Sequence, residues 1–135
     1  MRKALTAVAA AAFGFSLALP AAATDHAIGE ELYQRYCAVC HGEHGGGGGD
    51  LHQLLSIDMP DLRTMTERND GVFPMLETIH IIDGRTGLRA HGGPMPLWGG
   101  VFMAEAAEGM GFYGSAIEAR GRVLSLALYL ESIQQ

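Results

Sequence analysis

The stretch Tyr36-Cys37-Ala38-Val39-Cys40-His41-Gly42 holds both cysteines of the chain. Two thiols stand two residues apart, and a histidine follows the second directly. C-x-x-C-H is the attachment signature of c-type haem. The spacing follows from the chemistry. Two thiols add across the two vinyl groups on one edge of a porphyrin, and two intervening residues in a helical turn set both sulfurs along that edge. The next residue, His41, then supplies an imidazole nitrogen as the proximal iron ligand. Two plainer readings compete. A disulfide between Cys37 and Cys40 would close a very short loop and constrain little of the unfolded chain. A thioredoxin-type redox pair would follow a strand and has no need of the histidine. No strand pattern precedes Cys37.

The setting upstream agrees with the haem reading. Met1-Arg2-Lys3 is a short basic head, residues 4–19 are apolar, and Pro20-Ala21-Ala22-Ala23 offers the small residues of a cleavage site. This is the grammar of a secretory signal peptide, with cleavage expected after Ala23. The alternative is an uncleaved anchor, for which the run is slightly short and too rich in alanine. The expected organisation is therefore a signal at 1–23 and one small domain at 24–135, exported to the periplasm. Removing 23 of the 135 residues leaves 112 and takes Arg2 and Lys3 away. Seven arginines then face fifteen acids, a net charge of −8, and no lysine remains. Such a surface argues against nucleic acid and anionic membranes and favours partners with a basic docking patch. Nothing downstream is long and apolar enough to span a bilayer.

The flanks of the motif carry a wider resemblance. Gly29, Tyr33 and Cys37 are spaced by four and share one helical face. Glu30 and Glu31 suit the amino-terminal end of that helix. Near the other end, Ser115-Ala116-Ile117-Glu118 reads as a capping box that starts a helix through Leu130. That helix is apolar on most sides, which suits burial between a partner helix and a cofactor. Together with the C-x-x-C-H motif, these segments resemble the class I cytochromes c over nearly all of residues 24–135. The resemblance implies an all-α fold, with amino- and carboxy-terminal helices crossing near Gly29 and helices and loops wrapped round one covalent haem c.

A haem held by one histidine has a sixth position to fill. Seven methionines are present, and Met1 leaves with the signal. Met65 and Met75 fall in helical patterns and read as core filler. Met59 precedes Pro60 in a turn, and Met103 and Met110 lie beyond the loop expected to face the iron. Met95 lies in His91-Gly92-Gly93-Pro94-Met95-Pro96-Leu97-Trp98-Gly99, with proline on both sides. A weak thioether–iron bond needs a stiff backbone, and proline fixes φ. The segment resembles the family's Met-Pro ligand loop, which implies Met95 as the distal ligand. His91 is the rival, with His26, His44, His52 and His80 further candidates.

Between the two ligands, Gly45 to Gly49 are five glycines in a row, expected to form a flexible surface loop. Met59-Pro60-Asp61-Leu62 resembles the family's Pro-x-Leu turn, in which the proline carbonyl accepts a hydrogen bond from the proximal histidine. Asp50-Leu51-His52 is a weaker candidate for that turn. Asn69-Asp70-Gly71 is expected to cap a helix over 72–82, with Phe73, Leu76 and Ile79 lining the haem cavity or packing behind it. Arg85 or Arg63 could pair with a haem propionate, and Trp98, the only tryptophan, reads as a propionate donor and core residue at once.

The expected function is a periplasmic electron carrier, an electron-transfer protein rather than an enzyme in its own right, monomeric or part of a redox complex. The alternatives are a cytochrome subunit of a periplasmic dehydrogenase and an open-site haem sensor or peroxidase.

Overall fold

A computed structural model describes residues 22–55, 57–85 and 95–135. Among them, every regular element is helical. They are α1 (Ala22–Tyr36), α2 (Ala38–His41), α3 (Met75–Asp83) and α4 (Trp98–Ser132), with short 3₁₀ turns at His52–Leu54, Leu62–Thr64 and Glu67–Asn69. The expected signal segment lies outside the described residues except for Ala22 and Ala23, which begin α1. Because α1 starts there, Glu30 and Glu31 fall in its middle rather than at its amino-terminal end.

The core forms where α1 crosses α4. Gly29 makes the crossing possible. A Cβ there would run into the Ser125 carbonyl oxygen and come within 2.7 Å of Tyr129 Cβ. One turn on, Tyr33 is fully buried, and its ring centroid lies 5.2 Å from that of Tyr129. Val123, Leu126, Ala127 and Leu130 complete this interface from the α4 side. The helical period read from Gly29, Tyr33 and Cys37 thus corresponds to a packed face.

α4 holds two helices rather than one. Gly111 has φ 64° and ψ −178°, which breaks the run into an amino-terminal arm, 98–110, and a carboxy-terminal arm, 112–132. The expected capping box is not used. Ser115 is buried inside the second arm, and its hydroxyl donates to the Phe112 carbonyl at 2.9 Å. A serine in the first turn of a helix can bond back to the carbonyl three residues earlier, and this alternative won. The first arm was not anticipated at all, since Gly99 and Gly100 lower its helical propensity.

α3 begins three residues later than expected. Phe73 precedes a proline, which disfavours helical backbone at Phe73, and the helix starts at Met75 with Pro74 as its cap residue. Asn69-Asp70-Gly71 instead forms a left-handed turn, with Asp70 at φ 54° and Gly71 at φ 81°. The buried face of α3 differs from the expected one. Thr78 and Ile82 are buried, Phe73 and Ile79 pack on the core, and Leu76 is 67% exposed, contrary to its expected place at the cavity.

The glycine run is folded. It wraps the C-x-x-C-H turn through backbone bonds from Gly47 N–H to the His41 carbonyl, Gly49 N–H to Cys40 and Leu51 N–H to Val39. Gly42, Gly45, Gly47 and Gly48 have positive φ, a conformation glycine adopts without a Cβ penalty. Five glycines therefore let the backbone hug the motif, rather than swing free of it.

Candidate functional site

α1 ends at Tyr36, and α2 follows with Cys37 at its amino-terminal cap. This single turn carries both thiols and the histidine. It is held from three sides. His41 N–H bonds to the Cys37 carbonyl at 2.9 Å, the glycine loop closes over the outside, and the buried Tyr33 hydroxyl donates to the Gly42 carbonyl at 2.7 Å. Burial raises the Tyr33 hydroxyl well above the ordinary phenol range, so it remains a donor.

The turn opens on a cavity of about 500 Å³, within the range of about 300–1,000 Å³ that holds cofactor-sized ligands. Cys37, Cys40, His41, Pro60, Met95 and Trp98 all line it. Six of the seven residues singled out from the sequence are thus brought to one space. The turn of 59–62 beside it is fixed by the end of the chain. Gln134 Nε2 donates to the Leu62 carbonyl at 2.8 Å, and Leu62 N–H donates to Gly45 at 2.8 Å. Leu126 and Leu130 of α4 reach the same cavity and keep its wall apolar.

The seventh residue, Arg85, does not line the cavity. Its guanidinium forks onto the Asp83 carboxylate at 2.8 and 2.7 Å and touches Met103 Sδ at 3.5 Å. Asp83 sits two residues away and captures it first. The pair packs on Gly99, where a Cβ would stand 2.7 Å from both groups. Arg63 is likewise held by Asp61, which Arg63 keeps well below the usual carboxylate range, at about 2. The arginine that lines the cavity is Arg68, beside Asn69 and Glu77. Sequence reasoning passed over it because nothing in its own segment distinguishes it from a solvated cation. Met59 and Met65 also line the cavity, so Met65 is more than core filler.

The other histidines lie elsewhere. His26, His44 and His80 are exposed, and neither they nor His52 line the cavity. His91 lies outside the described residues, as does Pro94.

The bond expected from His41 to the Pro60 carbonyl is not formed. His41 Nδ1 is buried and has no hydrogen-bond partner. A buried polar atom left so costs about 1–3 kcal/mol. Burial also lowers the His41 pKa, which keeps the imidazole neutral, the form that ligates a metal. Burial and the neighbouring Cys40 push the Cys37 thiol up to about 12. Both cysteines are free thiols, half-buried at the cavity edge. Two thiols on one turn, a neutral imidazole after them, a thioether in the same apolar cavity and an arginine at its wall are a donor set that fits a covalently attached iron porphyrin.

Comparison with known proteins agrees. The family model described as cytochrome c oxidase, cbb3-type, subunit III matches residues 24–113. No match is found among curated proteins or among solved structures.

Proposed function

This chain belongs to that family of c-type cytochromes, and from that membership we propose that it is an exported one-electron carrier using a single haem c ligated by His41 and Met95. The all-α cytochrome c fold, haem-based electron transfer and covalent attachment of haem c come with the family. The finer assignment is carried by the C-x-x-C-H turn and Met95 lining one apolar cavity; Met59 and Met65 line it too, and of the three only Met95 has proline on both sides.

When bound, haem supplies a reversible ferrous–ferric couple. The chain's own residues set the conditions for it. Cys37 and Cys40 would hold the porphyrin edge to α2 as thioethers, each S–H adding across a vinyl C=C so that its hydrogen ends on the vinyl carbon. His41 presents a neutral imidazole nitrogen. Met95 supplies a soft, neutral sulfur that favours the reduced state. Leu126, Leu130 and Trp98 exclude water, which raises the cost of the added positive charge in the oxidised state. Arg68 is the arginine at the cavity wall; its Nη1 donates to the Asp61 carbonyl and the Thr64 hydroxyl, and the rest of its guanidinium is the candidate partner for a propionate.

Export rests on the basic head, apolar run and Ala23 site, and the family match begins at residue 24, directly after that site. Cytochrome c domains are typically exported. No helix among the described residues is long and apolar enough to cross a membrane. The family's description as an oxidase subunit favours a second reading, in which the domain serves one larger oxidoreductase rather than diffusing free. Size-exclusion chromatography of native extract separates the two, because a free carrier elutes near its own mass.

The test is an intact mass of protein recovered from the periplasm of a host that matures c-type cytochromes. A chain starting at Thr24 and heavier by one haem supports the proposal. A haem-free chain with Cys37 and Cys40 oxidised to each other overturns it.

A further inference from the structure

Glu105 sits where three segments meet. Its Oε2 accepts a hydrogen bond from the Tyr36 hydroxyl at 2.9 Å and another from Arg122 Nη1 at 2.9 Å. Tyr36 ends α1 and directly precedes Cys37. Glu105 lies on the first arm of α4, which begins three residues after Met95, and Arg122 lies on the second arm. One carboxylate oxygen thus joins the helix leading into the attachment motif to both sides of the Gly111 break.

The other ion pairs do nothing of this kind. Asp61–Arg63 and Asp83–Arg85 each close within two residues, and Arg122–Glu118 stays within the second arm. Among the described residues, Arg122–Glu105 is the ion pair that crosses the break. Below it lies an aromatic triangle. The Tyr36 ring is 5.4 Å from Trp98 and 5.2 Å from Phe102, and Trp98 stacks on Phe102 at 5.8 Å. The Arg122 guanidinium stands over Phe102 at 5.6 Å. Trp98, at the start of the first arm, lines the cavity with Met95.

We infer that Glu105 is a positioning residue for the sixth iron ligand: by gathering Tyr36 and Arg122 it holds the arm that follows Met95 against the segment that carries Cys37 and His41. The inference rests on Met95 being that ligand. A thioether binds iron weakly, so the bond lasts only where the fold presents the sulfur in place. Charge-assisted hydrogen bonds are the strong ones available for that task. Glu105 and Arg122 are partly exposed, which limits the effect.

Imidazole titration of the oxidised protein reads this directly, because imidazole competes for the methionine's place and abolishes the sulfur–iron charge-transfer band at the red end of the spectrum. Glu105→Gln is expected to bind imidazole about three-fold more tightly than the parent and Tyr36→Phe about two-fold. Glu118→Gln, which breaks a bond within one arm only, leaves the affinity at the parent value. Tyr36→Phe keeps the aromatic triangle and carries the test alone if Glu105→Gln fails to accumulate. Thermal unfolding followed by far-UV circular dichroism accompanies each titration. A merely structural contact lowers the unfolding midpoint without moving the imidazole affinity, and that result overturns the inference. So does an equal rise in Glu118→Gln. A parent protein without the sulfur–iron band removes Met95 as ligand and the positioning role with it. A parent band with unchanged variant affinities removes the positioning role alone.

Discussion

Gly29 shows how much one missing side chain decides. The Ser125 carbonyl and Tyr129 Cβ occupy the space a Cβ would need, so Gly29→Ala must push α1 away from α4. Overpacking of this kind costs about 1–3 kcal/mol. Urea unfolding should show a lower midpoint with an unchanged slope. Asp61 gives a pH prediction. Hydrogen bonds from Arg63 depress its carboxyl to about 2. A depressed acid contributes stability above its unfolded value near 3.8, and this is lost as pH falls through about 2. Carbon-13 NMR of the Asp61 carboxyl should therefore show it still ionised at about pH 3, and Arg63→Gln should raise it only part of the way to the ordinary range, because the backbone N–H of residue 63 still donates to it. Placement was legible where chemistry forces a spacing. In the turn 37–41, Cys37, Cys40 and His41 share one turn and one cavity. Arg85 was not legible, because the sequence offers it several acids and only the fold selects Asp83.

At the scale of elements, the glycine loop separates two costs that sequence alone merges. Gly48 has φ +74° with nothing near its missing Cβ, whereas a Cβ on Gly49 would strike the carbonyls of Val39 and Ala38. Gly48→Ala pays only for left-handed backbone, about 1–2 kcal/mol. Gly49→Ala displaces the attachment turn itself. Gly49 has no left-handed φ, so overpacking alone sets its cost, about 1–3 kcal/mol, and the change should lower the yield of haem-loaded chain, read as the ratio of haem to protein absorbance. Gly111→Ala, at φ 64° with open space around it, should resemble Gly48→Ala in stability. The existence of the terminal helices was readable from period and spacing, and their crossing near Gly29 from the family resemblance. Their boundaries were not. Pro74 delayed α3, and Ser115 bonded backwards instead of capping. Both outcomes follow from local rules whose competition the surrounding packing decides. The glycine run was misread because flexibility in an isolated chain and conformability in a folded one have the same composition.

At the scale of the molecule, a short carboxy-terminal clip and one helix crossing define the cavity. Gln134 binds both Thr66 N–H and the Leu62 carbonyl, so the last residues of the chain hold the 60–66 wall. A chain ending at Ile133 should keep its helical signal and lose haem more readily under mild denaturant, followed by the absorbance of the haem. That cavity collects residues from positions 33 to 130, which is why no local pattern revealed Arg68 or the place of Met65. The function proposed for it is one electron held by one iron. A coulometric redox titration of the purified, matured protein tests that most directly. The account predicts one electron per chain with a single one-electron midpoint, a sulfur–iron band present when oxidised and absent from Met95→Ala, and a reduced form that resists carbon monoxide. Two or more electrons per chain, or rapid carbon monoxide binding by the unaltered reduced protein, would contradict it.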